Sequence, residues 1–225
     1  TLVLKTRNKP YTTTLAVIKN RNQKLKEKYW KMNKIIIATL LLFLSIGVNS
    51  QNVENYLETE KIIKFDNKNY ELVWSTHPNE VYYKQEYLTK EQTLERFKSM
   101  VTIDFLNGEF KVKDLVNQKI QELENAKKTN PIINYSVLEK DGETIIDFLM
   151  SVSSKDGKKL LVVERNIYRY TNIETEETKG LLLFSVSERA YEGEIGEFFS
   201  ELKKDKNSLI IKVGNIEIPK INPKK

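Results

Sequence analysis

The chain has a single histidine, His77. General-base or zinc chemistry would need a nucleophile or two further ligands beside it. Ser75, Thr76 and Pro78 around it describe a turn instead, so His77 is expected in a loop with no chemical task. Glu194, Glu197 and Glu201 recur at i, i+3 and i+7, a spacing that could face a cation. The same spacing is the solvated side of a helix whose other side is Ile195, Phe198 and Leu202. Glu174, Glu176 and Glu177 lack the alternating acids and central glycine of a calcium loop and read as a charged turn. The aromatic residues carry more information. Trp74, Tyr82, Tyr83 and Tyr87 cluster early in the chain, and Tyr168 and Tyr170 fall on one face of a later strand. Rings on an open sheet face can stack on sugars or receive a protein partner, although the strand preference of Tyr explains the same positions by packing. Trp74, Tyr82, Tyr87, Tyr168 and Tyr170 are therefore the candidate partner-binding residues. No Gly-rich phosphate loop, Gly-x-Ser-x-Gly or His-Glu-x-x-His occurs, and no catalytic residue, cofactor or metal ligand is assigned.

The elements that must position these residues follow from periodicity, which switches between two and 3.6. Residues 60–65 and 70–75 read as a strand pair around Asp66-Asn67-Lys68-Asn69. A third strand, 80–87, follows a break at His77-Pro78-Asn79. Thr89 to Gln92 has the layout of a capping box, and Leu94, Phe97 and Val101 behind it predict a helix over 90–104. Val112, Leu115, Val116, Ile120 and Leu123 predict a second helix over 111–127, closed by Asn130-Pro131. Strands are expected at 132–139 and 143–153 around Lys140-Asp141-Gly142, with Ile146, Phe148, Met150 and Val152 as one apolar face. Further strands are expected at 159–170 and 180–190, a third helix at 193–204, a last strand at 208–213, and a loose tail from Pro219. The connections between successive strands are short, which favours antiparallel pairing. The fold class is α+β: one domain, a mainly antiparallel sheet with helices laid over one face.

The stretch Glu86-Tyr87-Leu88-Thr89 through Met100-Val101-Thr102 resembles a segment of uncharacterised exported bacterial proteins. There a strand ending in Tyr-Leu leads into a helix that carries an aromatic residue and then Met-Val-Thr. The order of elements also resembles the PsbP/Mog1-type α/β/α sandwich. Fewer than about twenty residues carry the first likeness, and Thr89 and Glu91 stand where those segments often have Pro and Gly. The resemblance implies a fold type whose known members are mostly non-enzymatic assembly or binding factors. It transfers no functional residue.

Compartment is read from residues 32–50. Met32-Asn33-Lys34 is a short positive start, Ile35 to Val48 carries no charge, and Val48-Asn49-Ser50 suits a signal peptidase, which would leave Gln51 at the mature N-terminus. At about 1.5 Å per residue the apolar run reaches about 21 Å, short of a hydrocarbon core about 30 Å thick, so no stable membrane span is expected after cleavage. The basic stretch 1–31 is expected to be over-extended upstream translation, with synthesis starting at Met32; its alternative is a cytoplasmic arm before a signal anchor. That division reverses the charge. The whole chain is +6. Residues 1–31 hold nine Lys or Arg against Glu27, and Lys34 adds one more. Residues 51–225 keep 27 basic against 30 acidic residues, net −3. A nucleic-acid partner is excluded on that count, and Cys is absent. The expectation is an exported protein of the periplasm or medium, a non-enzymatic binding or assembly module for a protein or glycan of the envelope. An exported hydrolase with an unrecognised carboxylate site is the alternative.

Overall fold

A computed structural model describes residues 53–224, all within one compact unit, Asn52–Lys225. The segments 1–31 and 32–50, and the expected start at Gln51, lie outside the described residues. Eight strands form one sheet: β1 (Ile62–Phe65), β2 (Lys68–Asn79), β3 (Tyr82–Leu88), β4 (Ser99–Asn107), β5 (Asn134–Lys140), β6 (Glu143–Ser153), β7 (Leu160–Glu174) and β8 (Lys179–Tyr191). Among the described residues the helices are α1 (Val112–Lys127), α2 (Ile195–Lys204) and α3 (Asn207–Asn215). Every strand pair is antiparallel, in the order β1-β2-β3-β4-β8-β7-β6-β5. Two four-stranded meanders thus meet at a β4–β8 seam, and α1 carries the chain from that seam to the far edge. The architecture is mixed α+β and dominated by the sheet.

Turn chemistry sets the register. Asp66 and Asn67 hold φ of 49° and 57°, and Asp141 and Gly142 hold 53° and 83°, the left-handed pairs that two-residue hairpins require. Gly180 answers a different demand. A Cβ there would overlap the Leu106 carbonyl oxygen and the Phe105 ring of the neighbouring strand.

Strand alternation divides the core in two. Tyr168 and Tyr170 of β7, with Ile146, Phe148 and Leu181, pack under Val112, Val116 and Leu123 of α1. Ile167 of β7, with Val101, Ile103, Phe105, Leu182, Phe184 and Val186, packs under Leu209, Ile210 and Val213 of α3. Helices therefore cover both faces of the sheet, not one face as the apolar stripes suggested.

The expectations for three segments are corrected. Residues 90–104 are not a helix. Gln92 Nε2 donates to Thr89 Oγ1 at 2.6 Å, but Glu91 sits at φ 71°, so the expected cap closes a turn. Val101, Ile103 and Phe105 are all fully buried in β4, and their period of two overrides the helical spacing of Leu94, Phe97 and Val101. The strand expected at 208–213 is α3, since Leu209, Ile210 and Val213 bury one helical stripe; a six-residue apolar run does not separate the two by itself. The tail is pinned, not loose. Asn222 N–H donates to the Leu57 carbonyl at 2.7 Å and Lys224 N–H to that of Tyr56 at 2.8 Å. Tyr83 in turn donates to the Lys224 carbonyl at 2.8 Å. The face expected to be wholly apolar on β6 buries Ile146 and Phe148, while Met150 and Val152 are exposed.

Candidate functional site

Polar residues concentrate on the α1 side of the sheet, where α1 packs on β5, β6 and β7 and, among the described residues, no helix packs closely on β3 or β4. Ladder register places them in rows. Glu86, Thr102, Ser185 and Tyr168 lie side by side across β3, β4, β8 and β7. Lys84, Asp104 and Leu183 form the adjacent row across β3, β4 and β8. A register shift in β2 adds Trp74. Leu72 pairs with Tyr87 on the core face, but after the shift Trp74 pairs with Glu86 and Thr76 with Lys84. One extra residue at Val73 turns the indole onto the polar face, as a bulge does.

The charges here are close and only partly hydrated. Lys84 Nζ meets Glu86 Oε1 at 2.8 Å, their side chains 23% and 8% exposed. The Tyr82 hydroxyl donates to Asp104 Oδ1. Burial pushes the Asp104 carboxyl above its ordinary value, against the pull of the Lys84 ammonium and the Tyr82 hydrogen bond. Burial would lower Lys84, yet the charges of Asp104 and then Glu86 outweigh it and hold the ammonium above its usual value. Tyr82 and Tyr168 are both raised, by burial first and by Asp104 next. From α1, Lys119 reaches over the Tyr168 ring at 5.5 Å while bonding Glu122 at 2.7 Å. At the end of the face Arg189 donates to Glu164 at 2.7 Å and lies 3.9 Å over the Phe97 ring. Ser187 donates to Asn166 Oδ1 at 2.6 Å, while buried Asn166 Nδ2 finds no acceptor among the described residues.

The residues singled out by type separate on this geometry. Trp74, Tyr82 and Tyr168 are half-buried members of the polar face. Tyr170 shares that face but is buried under α1. Tyr87 points to the other side. It is fully buried, 2.6 Å from Thr59 Oγ1, and donates to Gln85 Oε1 at 3.0 Å; burial pushes its hydroxyl up to about 12. His77 is in the bulged end of β2 and not in a loop; its ring stacks 3.9 Å from Tyr83. Glu194 is paired with Lys98 and Glu201 with Lys204. Among the described residues, no three His, Cys, Asp or Glu side chains are grouped to hold a metal ion. Lys84, Glu86 and Asp104 were missed. The alternation of Val101, Ile103 and Phe105 is the signal that would have put Thr102 and Asp104 on the opposite, polar face.

An antiparallel sheet with helices on both sides and one open polar-aromatic face is the class of domain defined here. A family model matches residues 57–218, and the chain belongs to that family, an uncharacterised one. The match spans β1 to α3, so every residue of the polar face lies inside the shared domain. No curated protein and no solved structure matches the chain. No helix of the described residues is long and apolar enough to cross a membrane.

Proposed function

We propose that the protein is an exported binding or assembly module of a bacterial envelope, and that its partner docks on the α1-side face around Trp74, Tyr82, Lys84, Glu86, Asp104 and Tyr168. The carrying observation is the partly dehydrated Lys84–Glu86–Asp104 cluster beside half-buried aromatic rings on a stretch of sheet that no helix of the described residues covers on that side. Charges held in that state interact more strongly with an incoming group than hydrated surface charges do, and the rings supply contact area at little entropic cost. Export rests on the signal-like segment 32–50. The PsbP/Mog1-type element order lends the binding role no support, because the helix expected at 90–104 is replaced by β4 and the strand expected at 208–213 by α3.

The test is photo-crosslinking in intact envelopes from cells making the full chain, with the reactive side chain at Thr76 on this face or at Ile211 on α3. A discrete adduct from Thr76, absent from Ile211 and weakened by Lys84→Met or Asp104→Asn, is expected. Equal labelling from both positions, or an adduct indifferent to those substitutions, would refute the assignment. One observation favours a hydrolase as second reading: Asp104, its carboxyl raised, shares the face with Glu86. That reading requires turnover of an envelope glycan or peptide by the wild type that both Asp104→Asn and Glu86→Gln abolish.

A further inference from the structure

We infer that the free edge of β5 pairs with β5 of a second copy of this chain, making one continuous antiparallel sheet of two subunits. This inference is independent of the ligand face. The two-residue turn Asp141-Gly142 fixes which backbone groups β6 uses. Lys140 and Glu143 flank the turn and exchange hydrogen bonds, and the exchange then alternates along the register Leu138↔Ile145, Ser136↔Asp147 and Asn134↔Leu149. The N–H and C=O groups of Tyr135, Val137 and Glu139 consequently point away from β6, along a seven-residue edge with no proline and no register shift. The opposite edge is β1, only four residues long. Natural edges are usually blunted by such devices.

The side chains say what covers the edge. Among the large apolar side chains exposed in the described residues, Val137 and Leu138 are adjacent at the middle of β5 itself, one on each face of the edge. Antiparallel pairing about a two-fold axis at Val137 sets Val137 against its own copy, Tyr135 against Glu139 of the second copy, Ser136 against Leu138, and Asn134 against Lys140. No like charges meet, and the three outward-pointing residues become the three hydrogen-bonded positions. Sequence and backbone phase agree on the same centre. Such an axis stands perpendicular to the sheet, so both α1 helices fall on one side. Each overlies its own β5–β7, and at about 4.8 Å per strand the two helices stand about 14 Å apart, beyond the 8–10 Å of packed helices and free of clash. Both polar faces then look the same way, which makes the assembly bivalent.

Val137→Pro is the decisive variant, because it deletes an N–H that the fold does not use and, by symmetry, two that the dimer does. Sedimentation equilibrium of the full chain should give a dimer, and Val137→Pro should weaken it at least about tenfold with an unchanged circular dichroism spectrum. Amide exchange supplies a second reading that needs no variant: the Tyr135, Val137 and Glu139 amides should be slow at high protein concentration and fast on dilution. A wild type that is monomeric at hundreds of micromolar overturns the proposal. So does a dimer in which those three amides exchange fast, or one that Val137→Pro leaves intact.

Discussion

On the face of the sheet turned toward α2 and α3, Arg165 meets Asp147 through two hydrogen bonds, Nε to Oδ1 at 2.9 Å and Nη2 to Oδ2 at 3.2 Å, with both side chains about 95% buried. Arg165 Nη2 also donates to the Lys206 carbonyl at 2.6 Å, at the junction of α2 and α3. Arg169 repeats the device four residues further along the same face of β7. It forks onto Glu143 at 2.8 and 3.0 Å and reaches the Val213 and Ile216 carbonyls at 3.1 and 2.8 Å, where α3 ends. On the α1 face the charges are arranged otherwise. Lys84 bonds Glu86, Asp104 accepts from the Tyr82 hydroxyl and feels the Lys84 charge from across the ladder, and among the described residues neither Lys84 nor Asp104 bonds a helix end. The first cluster uses its charges to fasten backbone, and its geometry is closed. The second leaves capacity unspent at a surface. A buried ion pair is no proof of stabilisation, but its hydrogen-bond destinations separate a clamp from a docking site.

The largest effect that tests this contrast is at Asp147. Asp147→Ala leaves the Arg165 guanidinium buried without its counter-ion and should cost about 3–5 kcal/mol in urea unfolding. Replacing the pair together, Asp147→Leu with Arg165→Met, should cost less, since no buried guanidinium is orphaned, although Glu188 across the ladder loses the Arg165 charge. A loss under about 1 kcal/mol for Asp147→Ala would mean that Arg165 finds water and that the clamp is not closed. Next comes Arg169→Met, which abandons two carbonyls at the end of α3 together with Glu143. A loss of about 2–3 kcal/mol is expected, with faster amide exchange in α3 than in β7. Uniform acceleration throughout the domain would show that Arg169 supports the sheet and not the helix.

The two faces were unequally legible. Hairpins with Asp-Asn or Asp-Gly turns could be read because positive φ has few residues to serve it, and α1 could be read because its apolar stripe runs through four turns. Around Val101 the sequence satisfies both periods, and only burial on both sides of β4 decides between them. Asp104 was lost with that choice, since a helix ending at 104 hides which strand face it occupies. Trp74, Tyr82 and Tyr168 were recognisable by type. The register shift that brings Trp74 beside Glu86, however, is a backbone event with no distinct residue to announce it. Arg165 and Arg169 are illegible for another reason: their task depends on where α2 and α3 end, and the short apolar run of α3 suits a strand as well as a helix.

Asp104 gives a smaller effect of opposite sign. Its carboxyl is held above the ordinary value by burial, so the folded state favours the protonated form. The associated stability is present below the unfolded value near pH 3.9 and is lost as pH rises through the folded value. Asp104→Asn cannot ionise and escapes that loss. Compared by urea unfolding, the variant should match the wild type near pH 3.5 and exceed it at pH 7. A variant weaker than the wild type at pH 7 would make the carboxylate a net stabiliser and turn this cluster into a second clamp. The Thr76 adduct should weaken in the same variant that gains stability, the pattern expected where a site is kept at a cost to the fold.

Tyr82→Phe should have the smallest effect and divides the two faces most finely. The hydroxyl donates to Asp104 and helps to hold its carboxyl down, so its removal should move the titration of Asp104 higher while the ring keeps its packing. Both residues are only half-buried. Water can therefore take the vacated place on the carboxylate, and the stability change at pH 7 should stay under about 1 kcal/mol. A water could not do the same for Asp147, whose oxygens are enclosed by Arg165. The informative quantity is the coupling in a double-mutant cycle of Tyr82→Phe with Asp104→Asn. Stability coupling at pH 7 should be small, under about 1 kcal/mol, and should match the titration shift that Tyr82→Phe produces, because Asp104→Asn leaves nothing there to ionise. The Thr76 adduct, by contrast, should be lost no further in the double variant than in Asp104→Asn alone, because the tyrosine acts on the partner through the carboxylate it holds. Additive losses of the adduct would instead assign Tyr82 a contact of its own with the partner, and the boundary of the site would move from the carboxylate to the ring.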